Sequence, residues 1–170
     1  VWFETAFTIP VGAPPDSAQL PVTVYAATGL VTVGHVTVSI ESGDAGNLLM
    51  NYSFEIDNND DGTPDYWRGY SKGFDYDVSG MHALSGSRSV HVRNDSLSDF
   101  RGVYVRVDLK QDSARALEIS GWSKCIDVSG NPDNDYALYV DSRYMDGTSL
   151  YGQCARFATG THDWEYSSFV

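Results

Sequence analysis

Uninterrupted alternation of apolar and polar side chains runs through the stretch Val103-Tyr-Val-Arg-Val-Asp-Leu109. Successive side chains of a β-strand point to opposite faces, so this stretch predicts a strand with one buried face. The side chains expected on that face are Val103, Val105, Val107 and Leu109. Residues 89–93 repeat the pattern, with Val90 and Val92 expected to point inward.

The rest of the chain also carries strand patterns, and no segment has the periodicity of a good helix. In residues 116–126 we expect Leu117, Ile119 and Cys125 inward, and Glu118, Ser120, Trp122 and Lys124 outward. Further strand-like ranges are 3–9, 22–26, 31–40, 136–143, 151–157 and 163–170. Clusters of Gly, Asp, Asn and Ser separate them at 41–47, 57–65, 79–87, 94–99, 128–135 and 146–152. About ten short strands joined by turns predict an all-β fold, an antiparallel β-sandwich of the jelly-roll type.

Length and charge restrict the class of protein to which the chain can belong. Its 170 residues suffice for one sandwich with its own core. Asp and Glu outnumber Lys and Arg by 23 to 11, a net charge of −12. This argues against a nucleic-acid partner, because binding phosphates requires clustered cations. The apolar runs are far shorter than the ~20 residues that span a bilayer. Because the sequence starts at Val1 without a signal peptide, we interpret it as processed or excerpted.

Two cysteines, Cys125 and Cys154, lie in the strand-like ranges 116–126 and 151–157. A disulfide between them would stabilise the fold by about 3–4 kcal/mol in the chain-entropy account. Disulfides belong to oxidising, extracellular environments, and the rest of the sequence has an extracellular character, so we expect the pair to be bonded. The alternative is two reduced, buried thiols.

The sharpest motif is an acidic loop, Asp57-Asn-Asn-Asp-Asp-Gly-Thr-Pro-Asp65. Its oxygen-bearing side chains alternate before a glycine that permits a sharp turn, as in loops that wrap Ca²⁺. The glutamate that completes a helix–loop–helix site is replaced by Arg68, so we expect a short calcium loop between strands, with a structural role. The alternative is a solvated acidic turn, since Asn-Asp-Gly favours turns. The expected ligands are Asp57, Asn59, Asp61, Thr63 through its main-chain carbonyl, and Asp65.

Polar and aromatic side chains are expected to share one outward face, opposite the buried sets. Aromatic rings can stack on the C–H face of a sugar while charged groups bind its hydroxyls, so this face predicts glycan binding. Trp122 is the clearest member, because a Trp on a polar face is costly to leave exposed. The alternative is that Trp122 and Tyr104 pack under a loop or against a neighbouring subunit. The candidate glycan-binding residues are Tyr104, Arg106, Glu118, Trp122, Tyr139 and Arg143.

Known catalytic motifs do not occur in the sequence. It contains no nucleophile elbow, zinc-protease helix motif, phosphate-binding loop or Cys-x-x-Cys pair. The four histidines are scattered without ligand spacing. A carboxylate pair for glycoside hydrolysis forms in space rather than in sequence, and no particular pair stands out. We therefore expect a non-enzymatic protein.

Short motifs follow one another in a characteristic order, beginning with Asn47-Leu-Leu-Met-Asn-Tyr-Ser-Phe-Glu55 and, after the acidic loop, Pro64-Asp-Tyr-Trp67. They continue with His82-Ala-Leu-Ser-Gly-Ser-Arg-Ser89, Ile119-Ser-Gly-Trp122 and Gly160-Thr-His-Asp-Trp164. This order resembles carbohydrate-binding modules of the family four/nine type, over about residues 47–170. The resemblance implies an extracellular jelly roll with structural calcium, no catalysis and often glycan binding. It also implies Glu55 as a further calcium ligand.

The two ends of the chain depart from that family. Relatives continue with a Pro-containing turn and two further strands, whereas this sequence stops at Val170. Similar pieces stand at the front instead, where residues 2–10 resemble the Trp-containing strand and its turn. We therefore predict that residues 1–40 supply strands that complete a sandwich, and that residues 47–170 form the module-like sandwich.

The completed sandwich is either that of the same chain or that of a neighbouring copy. In a circular permutation, a turn at 41–46 joins the two parts within one molecule. In strand exchange, residues 1–40 fill the open edge of the preceding copy, and such head-to-tail contacts build a fibre. We expect a non-catalytic extracellular unit that assembles with its own copies by strand complementation, into a fibre or surface array. The alternatives are a glycan-binding module for an extracellular polysaccharide and, third, a small glycan-active enzyme.

Overall fold

The computed structural model describes residues 23–24, 28–40, 46–109, 115–131, 135–144 and 146–170. The strand predicted at 3–9 lies outside these ranges. None of the described residues is helical, so these ranges hold no helix of the length and hydropathy that crossing a membrane requires. The described strands are β1 (Thr23–Val24), β2 (Gly29–Ile40), β3 (Arg68–Ser71), β4 (Asp75–Asp77), β5 (Ser89–Asn94), β6 (Arg101–Tyr104), β7 (Leu117–Val128), β8 (Ala137–Arg143), β9 (Ser149–Arg156) and β10 (Gly160–Phe169).

The strands pair antiparallel in three sheets. The largest sheet has the order β10-β7-β2-β5-β4, and the smaller sheets have the orders β1-β8-β9 and β3-β6. The smaller sheets meet where β1 lies beside β6. Apolar side chains of all three sheets join in one core, so the fold is the predicted antiparallel β-sandwich.

The core is built from the alternating apolar residues of the strands. β2 contributes Val31, Val33, Val36 and Val38, each at most 1% exposed. Val90 and Val92 of β5 are buried as predicted. The buried face of 103–109 is also confirmed, although the β6 ladder ends at Tyr104. The pattern that decides the fold therefore persists beyond the hydrogen-bonded part of its strand.

Two features of the sheets differ from the sequence prediction. Ser120 is buried rather than outward, because β7 lies inside the large sheet and Thr37 and Ser168 flank Ser120 in register. The sequence does not predict β3 and β4, since most of their side chains are exposed and no apolar alternation marks them.

β2 runs through the middle of the five-stranded sheet. Its Val31 lies opposite Cys125 of β7 on one side and Val92 of β5 on the other. The segment after β2 is attached by Asn47, whose Oδ1 accepts the Val38 N–H at 3.0 Å and whose Nδ2 donates to the Val36 carbonyl at 3.1 Å. Residues 29–40 thus occupy a central position in the sandwich of their own chain.

No disulfide joins Cys125 to Cys154, so the predicted bond is wrong. Cys125 belongs to β7 of the five-stranded sheet, whereas Cys154 belongs to β9 of a different sheet. Cys125 is buried, its thiol donates to the Gly160 carbonyl at 3.2 Å, and burial raises its pKa. Strand patterns do not reveal which sheet a strand joins, and the expected disulfide rested on the extracellular character of the sequence rather than on geometry.

Candidate functional site

The acidic loop is a compact turn closed by its own hydrogen bonds. The Asp57 carboxylate accepts the main-chain N–H groups of Asp61 at 3.3 Å and Gly62 at 3.2 Å. The Asp61 carboxylate accepts the Thr63 N–H at 2.9 Å and the Asn59 side-chain amide at 2.8 Å. Gly62 has a φ of +77°, in the left-handed region that glycine adopts without strain. The predicted turn is present, and it brings these predicted ligands together.

Asn51 holds the two ends of this loop together. Its Nδ2 donates to the Ile56 carbonyl at 2.8 Å and to the Asp65 carbonyl at 3.0 Å, and its Oδ1 accepts the Ile56 N–H at 2.9 Å. The Trp67 indole donates to the Asn51 carbonyl at 2.9 Å. Sequence reasoning did not single out Asn51, although it lies in the Asn-rich motif that precedes the loop.

Glu55 lies apart from the other predicted ligands. Its carboxylate accepts the N–H groups of Ser87 at 3.0 Å and Arg88 at 2.9 Å, and the Ser87 hydroxyl at 3.1 Å. The Arg88 guanidinium is 4.0 Å from Asp57, whose side chain is only 3% exposed. Residues 87–88 therefore bind the Glu55 carboxylate, and Arg88 connects that segment to the acidic loop.

The donor chemistry of the loop fits calcium, which takes six to eight hard oxygen ligands in flexible geometry. Within the described ranges, no group of three or more His, Cys, Asp or Glu side chains is arranged to hold a metal ion. The Asn59 amide oxygen and the Thr63 carbonyl would therefore have to act beside Asp57 and Asp61. A carboxylate has more lone pairs than one or two N–H groups occupy, so these residues retain the capacity to bind the ion.

A pocket of about 530 Å³, here called the Tyr104 pocket, lies between the acidic loop and the β3-β6 sheet. Tyr104 of β6 pairs with Arg68 of β3 in register, and Arg106 follows Tyr104 by two residues on the exposed side. Tyr66 lines the pocket beside them. Sequence reasoning missed Arg68 and Tyr66, which follow the acidic loop without any apolar pattern. The loop wall is formed by Asn59, Asp61, Thr63 and Asp65.

A second group of exposed aromatic side chains, here called the aromatic strip, lies on the outer face of β7 and β10. Trp122 pairs with Tyr166 in register, with ring centroids 5.3 Å apart. The two side chains are 37% and 48% exposed. Lys124 places its ammonium 4.8 Å from the centre of the Trp164 ring, and that ring packs over Gly34, where a Cβ atom would collide with it. Trp122 was predicted, and these four side chains define the strip: Trp122, Lys124, Trp164 and Tyr166.

The predicted glycan-binding residues are distributed over different sheets, because β7 belongs to the five-stranded sheet and β6 and β8 belong to the two smaller sheets. Glu118 and Trp122 lie on β7, whereas Tyr104 and Arg106 border the Tyr104 pocket at β6. Tyr139 and Arg143 lie on β8, opposite Cys154 and Ser149 of β9. The structure therefore separates Glu118 and Trp122 of β7 from the residues on β6 and β8. The sequence could not show this division, because alternation assigns a side chain to a face but not to a sheet.

His91 is a half-buried histidine on β5 of the large sheet. Burial lowers its pKa, and the Asp77 carboxylate, 3.7 Å from its Nε2, opposes that shift. Its ring lies edge-on to His82, with centroids 5.2 Å apart. Oδ2 of Asp77 is buried and has no hydrogen-bond partner in the described part of the chain. This cluster makes the protonation of His91 costly in the folded protein.

Comparisons with protein-family models, with curated proteins and with solved structures give no match. The likeness to carbohydrate-binding modules thus stays a prediction from the sequence.

Proposed function

We propose that the chain is a non-catalytic, extracellular carbohydrate-binding β-sandwich, stabilised by calcium at its acidic loop. The observation that carries this proposal is the pairing of Trp122 with Tyr166 on an outer sheet face. These two rings are 37% and 48% exposed, and their pairing in register makes them one continuous apolar surface. A sugar ring is a suitable ligand, since its C–H face packs on an aromatic ring and its hydroxyls reach polar neighbours.

The polar neighbours of the aromatic strip suit hydroxyl groups. Lys124 follows Trp122 on the same face of β7 and supplies a donor. Glu118 precedes Trp122 by four residues on that face, roughly 13 Å along the strand, and supplies acceptors. This spacing exceeds one sugar unit, so the ligand supported best is an oligosaccharide or polysaccharide lying along β7.

A glycan array followed by titration of the bound glycans tests this proposal. Trp122→Ala and Tyr166→Ala should each weaken binding at least about tenfold, because truncating a buried aromatic anchor commonly costs that much. Tyr151→Ala is the matched control, since Tyr151 is an exposed aromatic residue on β9, in another sheet. An array without binding, or equal losses in all three variants, would count against the aromatic strip as the binding surface.

Calcium would neutralise the carboxylates that the acidic loop crowds together. Asp57, Asn59, Asp61 and the Thr63 carbonyl would hold the ion, with Asp65 at the end of the loop. Bound there, it would supply positive charge and fix the loop against the base formed by Asn51. The role is structural, since the glycan face proposed here is carried by another sheet.

Assembly with copies of itself is the second candidate function, and it requires β2 to pair with a neighbouring copy as it pairs within its own chain here. β2 lies between the pairs β10-β7 and β5-β4. In strand exchange, a neighbouring copy would therefore have to donate this central strand. Sedimentation velocity over a wide concentration range distinguishes the two states. A single species whose mass stays that of one chain supports pairing within the chain, whereas mass that grows with concentration supports strand exchange.

A further inference from the structure

Two arginines flank Tyr104 without a counter-ion among the residues that the structure describes. Arg68 is its cross-strand partner, and Arg106 lies two residues further along the same face. Neither guanidinium forms an ion pair or hydrogen bond with a described residue. Both arginines line the same pocket, and like charges that share a pocket repel each other. The fold therefore holds two cations close together at a cost that an anion in the pocket would offset.

In a chain with a strong excess of acidic residues, arginines without a carboxylate partner among the described residues are unexpected. Only 11 side chains are Lys or Arg against 23 Asp and Glu, so carboxylate partners are abundant on this surface. Lys72 does pair with a carboxylate, Asp99, at 2.6 Å. Arg68 and Arg106 nevertheless stay apart from Asp61 and Asp65 across the same pocket. The pocket thus has a cationic wall at β3-β6 and an acidic, oxygen-rich wall at the loop.

These two walls differ in what they can bind. A guanidinium donates two parallel hydrogen bonds to a carboxylate, and Arg is well suited to such planar recognition. The loop wall offers the oxygens and amides that calcium leaves free, and these suit hydroxyl groups. Tyr104 and Tyr66 add aromatic rings to the lining of the pocket. A ligand with one carboxylate, several hydroxyls and an apolar ring face meets all three requirements.

We infer that the Tyr104 pocket is a second sugar site that binds a uronic-acid unit, with its carboxylate on Arg68 and Arg106 and its hydroxyls toward the acidic loop. The site is separate from the aromatic strip, because the two belong to different sheets. It rests on the proposed function only in taking the ligand to be a sugar. A volume of about 530 Å³ accommodates one to two sugar rings. The pocket would therefore bind a short part of a polysaccharide rather than a long stretch of it.

Calorimetric titration with trigalacturonate and with its fully methyl-esterified form tests the inference. The two probes share ring and hydroxyls and differ in the carboxylate charge. A short oligosaccharide at about 0.15 M salt keeps long-range repulsion by the acidic protein small. The acid form should bind and the ester should bind at least about tenfold more weakly, because charge-assisted hydrogen bonds would be lost.

The variants Arg68→Gln and Arg106→Gln should each weaken trigalacturonate binding at least about tenfold. Arg93→Gln is the matched control: it removes one exposed positive charge from β5, in the other layer, and changes the net charge equally. Tyr104→Phe should retain most of the affinity and Tyr104→Ala should lose it, which separates the ring from the hydroxyl. Thermal melts of each variant establish that the fold is intact.

Each remaining outcome overturns a definite part of the proposal. Equal binding of acid and ester would show neutral recognition and refute the uronate assignment. Equal losses of trigalacturonate affinity in Arg68→Gln and Arg93→Gln would show that the effect comes from the net charge alone. That result would refute the site. Absence of trigalacturonate binding in a protein whose neutral-glycan binding depends on Trp122 would refute the second site alone and leave the aromatic strip standing.

Discussion

The indole N–H of Trp67 donates to the main-chain carbonyl of Asn51, 2.9 Å away, and the Asn51 side chain binds both ends of the acidic loop. A buried aromatic residue of the core is thereby connected to the exposed turn that it follows in sequence. The loop is consequently positioned from its base rather than by its exposed tip. These hydrogen bonds connect the core to the acidic turn, which in turn forms one wall of the Tyr104 pocket.

Replacing Asn51 should destabilise the fold strongly. Asn51→Ala removes three hydrogen bonds from a buried position and leaves their main-chain partners unsatisfied, which should cost about 2–4 kcal/mol. Asn51 also has a φ of +54°, which Asn tolerates better than Ala does. Asn51→Gly relieves that strain, so it should be up to about 1 kcal/mol more stable than Asn51→Ala. Chemical denaturation measures both, and wild-type stability in either variant would contradict the role of Asn51.

Removal of calcium should lower the melting temperature. A ligand present at 100 times its dissociation constant stabilises the folded state by about 2.7 kcal/mol, so EDTA should produce a shift of several degrees. Asp57→Asn should remove most of that shift, because Asp57 is a buried member of the loop. Asp108→Asn, an exposed carboxylate outside the loop, is the control. A wild-type melt that is unchanged by EDTA would leave a hydrogen-bonded turn and no metal site.

Acidification should destabilise the protein through His91. Its folded pKa lies below the ordinary value of 6.5, because burial disfavours the charged ring. As pH falls below about 6.5, the unfolded chain takes up a proton that the folded chain still rejects, so stability falls until the lower folded pKa is reached. Burial lowers the pKa of His35 as well, and Glu55 opposes it, so both histidines act in the same direction.

Melts of His91→Gln and His35→Gln between pH 7.5 and about 4.5 measure these contributions. Each variant should lose less stability over this window than the wild type does. The charged neighbours Asp75, Asp77 and Lys124 remain in both, which keeps the comparison to the substituted ring. Parallel curves for the wild type and both variants would mean that other groups cause the pH dependence.

Both cysteines should titrate as thiols without a reductant. Cys125 is 2% exposed and its pKa is raised by burial, so it should react with a thiol reagent only on unfolding. Cys154 is half-buried and should react faster in the native protein. Two reactive thiols per chain in denaturant would agree with the structure. No reactive thiol would instead support the disulfide that the sequence predicted.

Local patterns predicted the strands well, because alternation reports on burial directly. Val105, Val107 and Leu109 are buried although they follow the end of the β6 ladder, which shows how strongly this signal is tied to the core. Residue-level exceptions occur where a neighbouring strand matters. Ser120 is covered by the strands on either side of β7, and its own sequence neighbourhood carries no sign of that.

The candidate sites depended more on which strands become neighbours. The acidic turn was predictable, because its ligand spacing and its glycine lie within nine residues. Trp122 was also predictable, whereas its partner Tyr166 lies on β10 and is brought beside it only by sheet pairing. Arg68 faces Tyr104 for the same reason. A pattern within one strand cannot contain this information, since register between strands is a property of the folded sheet.

The central position of β2 has a mechanical consequence. Hydrogen bonds join it to β5 along one edge and to β7 along the other, so tension along its axis would load both ladders at once, in shear. An edge strand can be peeled away by breaking its hydrogen bonds one at a time. A strand that is paired on both sides cannot separate in this way. Force along β2 would therefore meet a higher mechanical resistance than the same force on the edge strand β4.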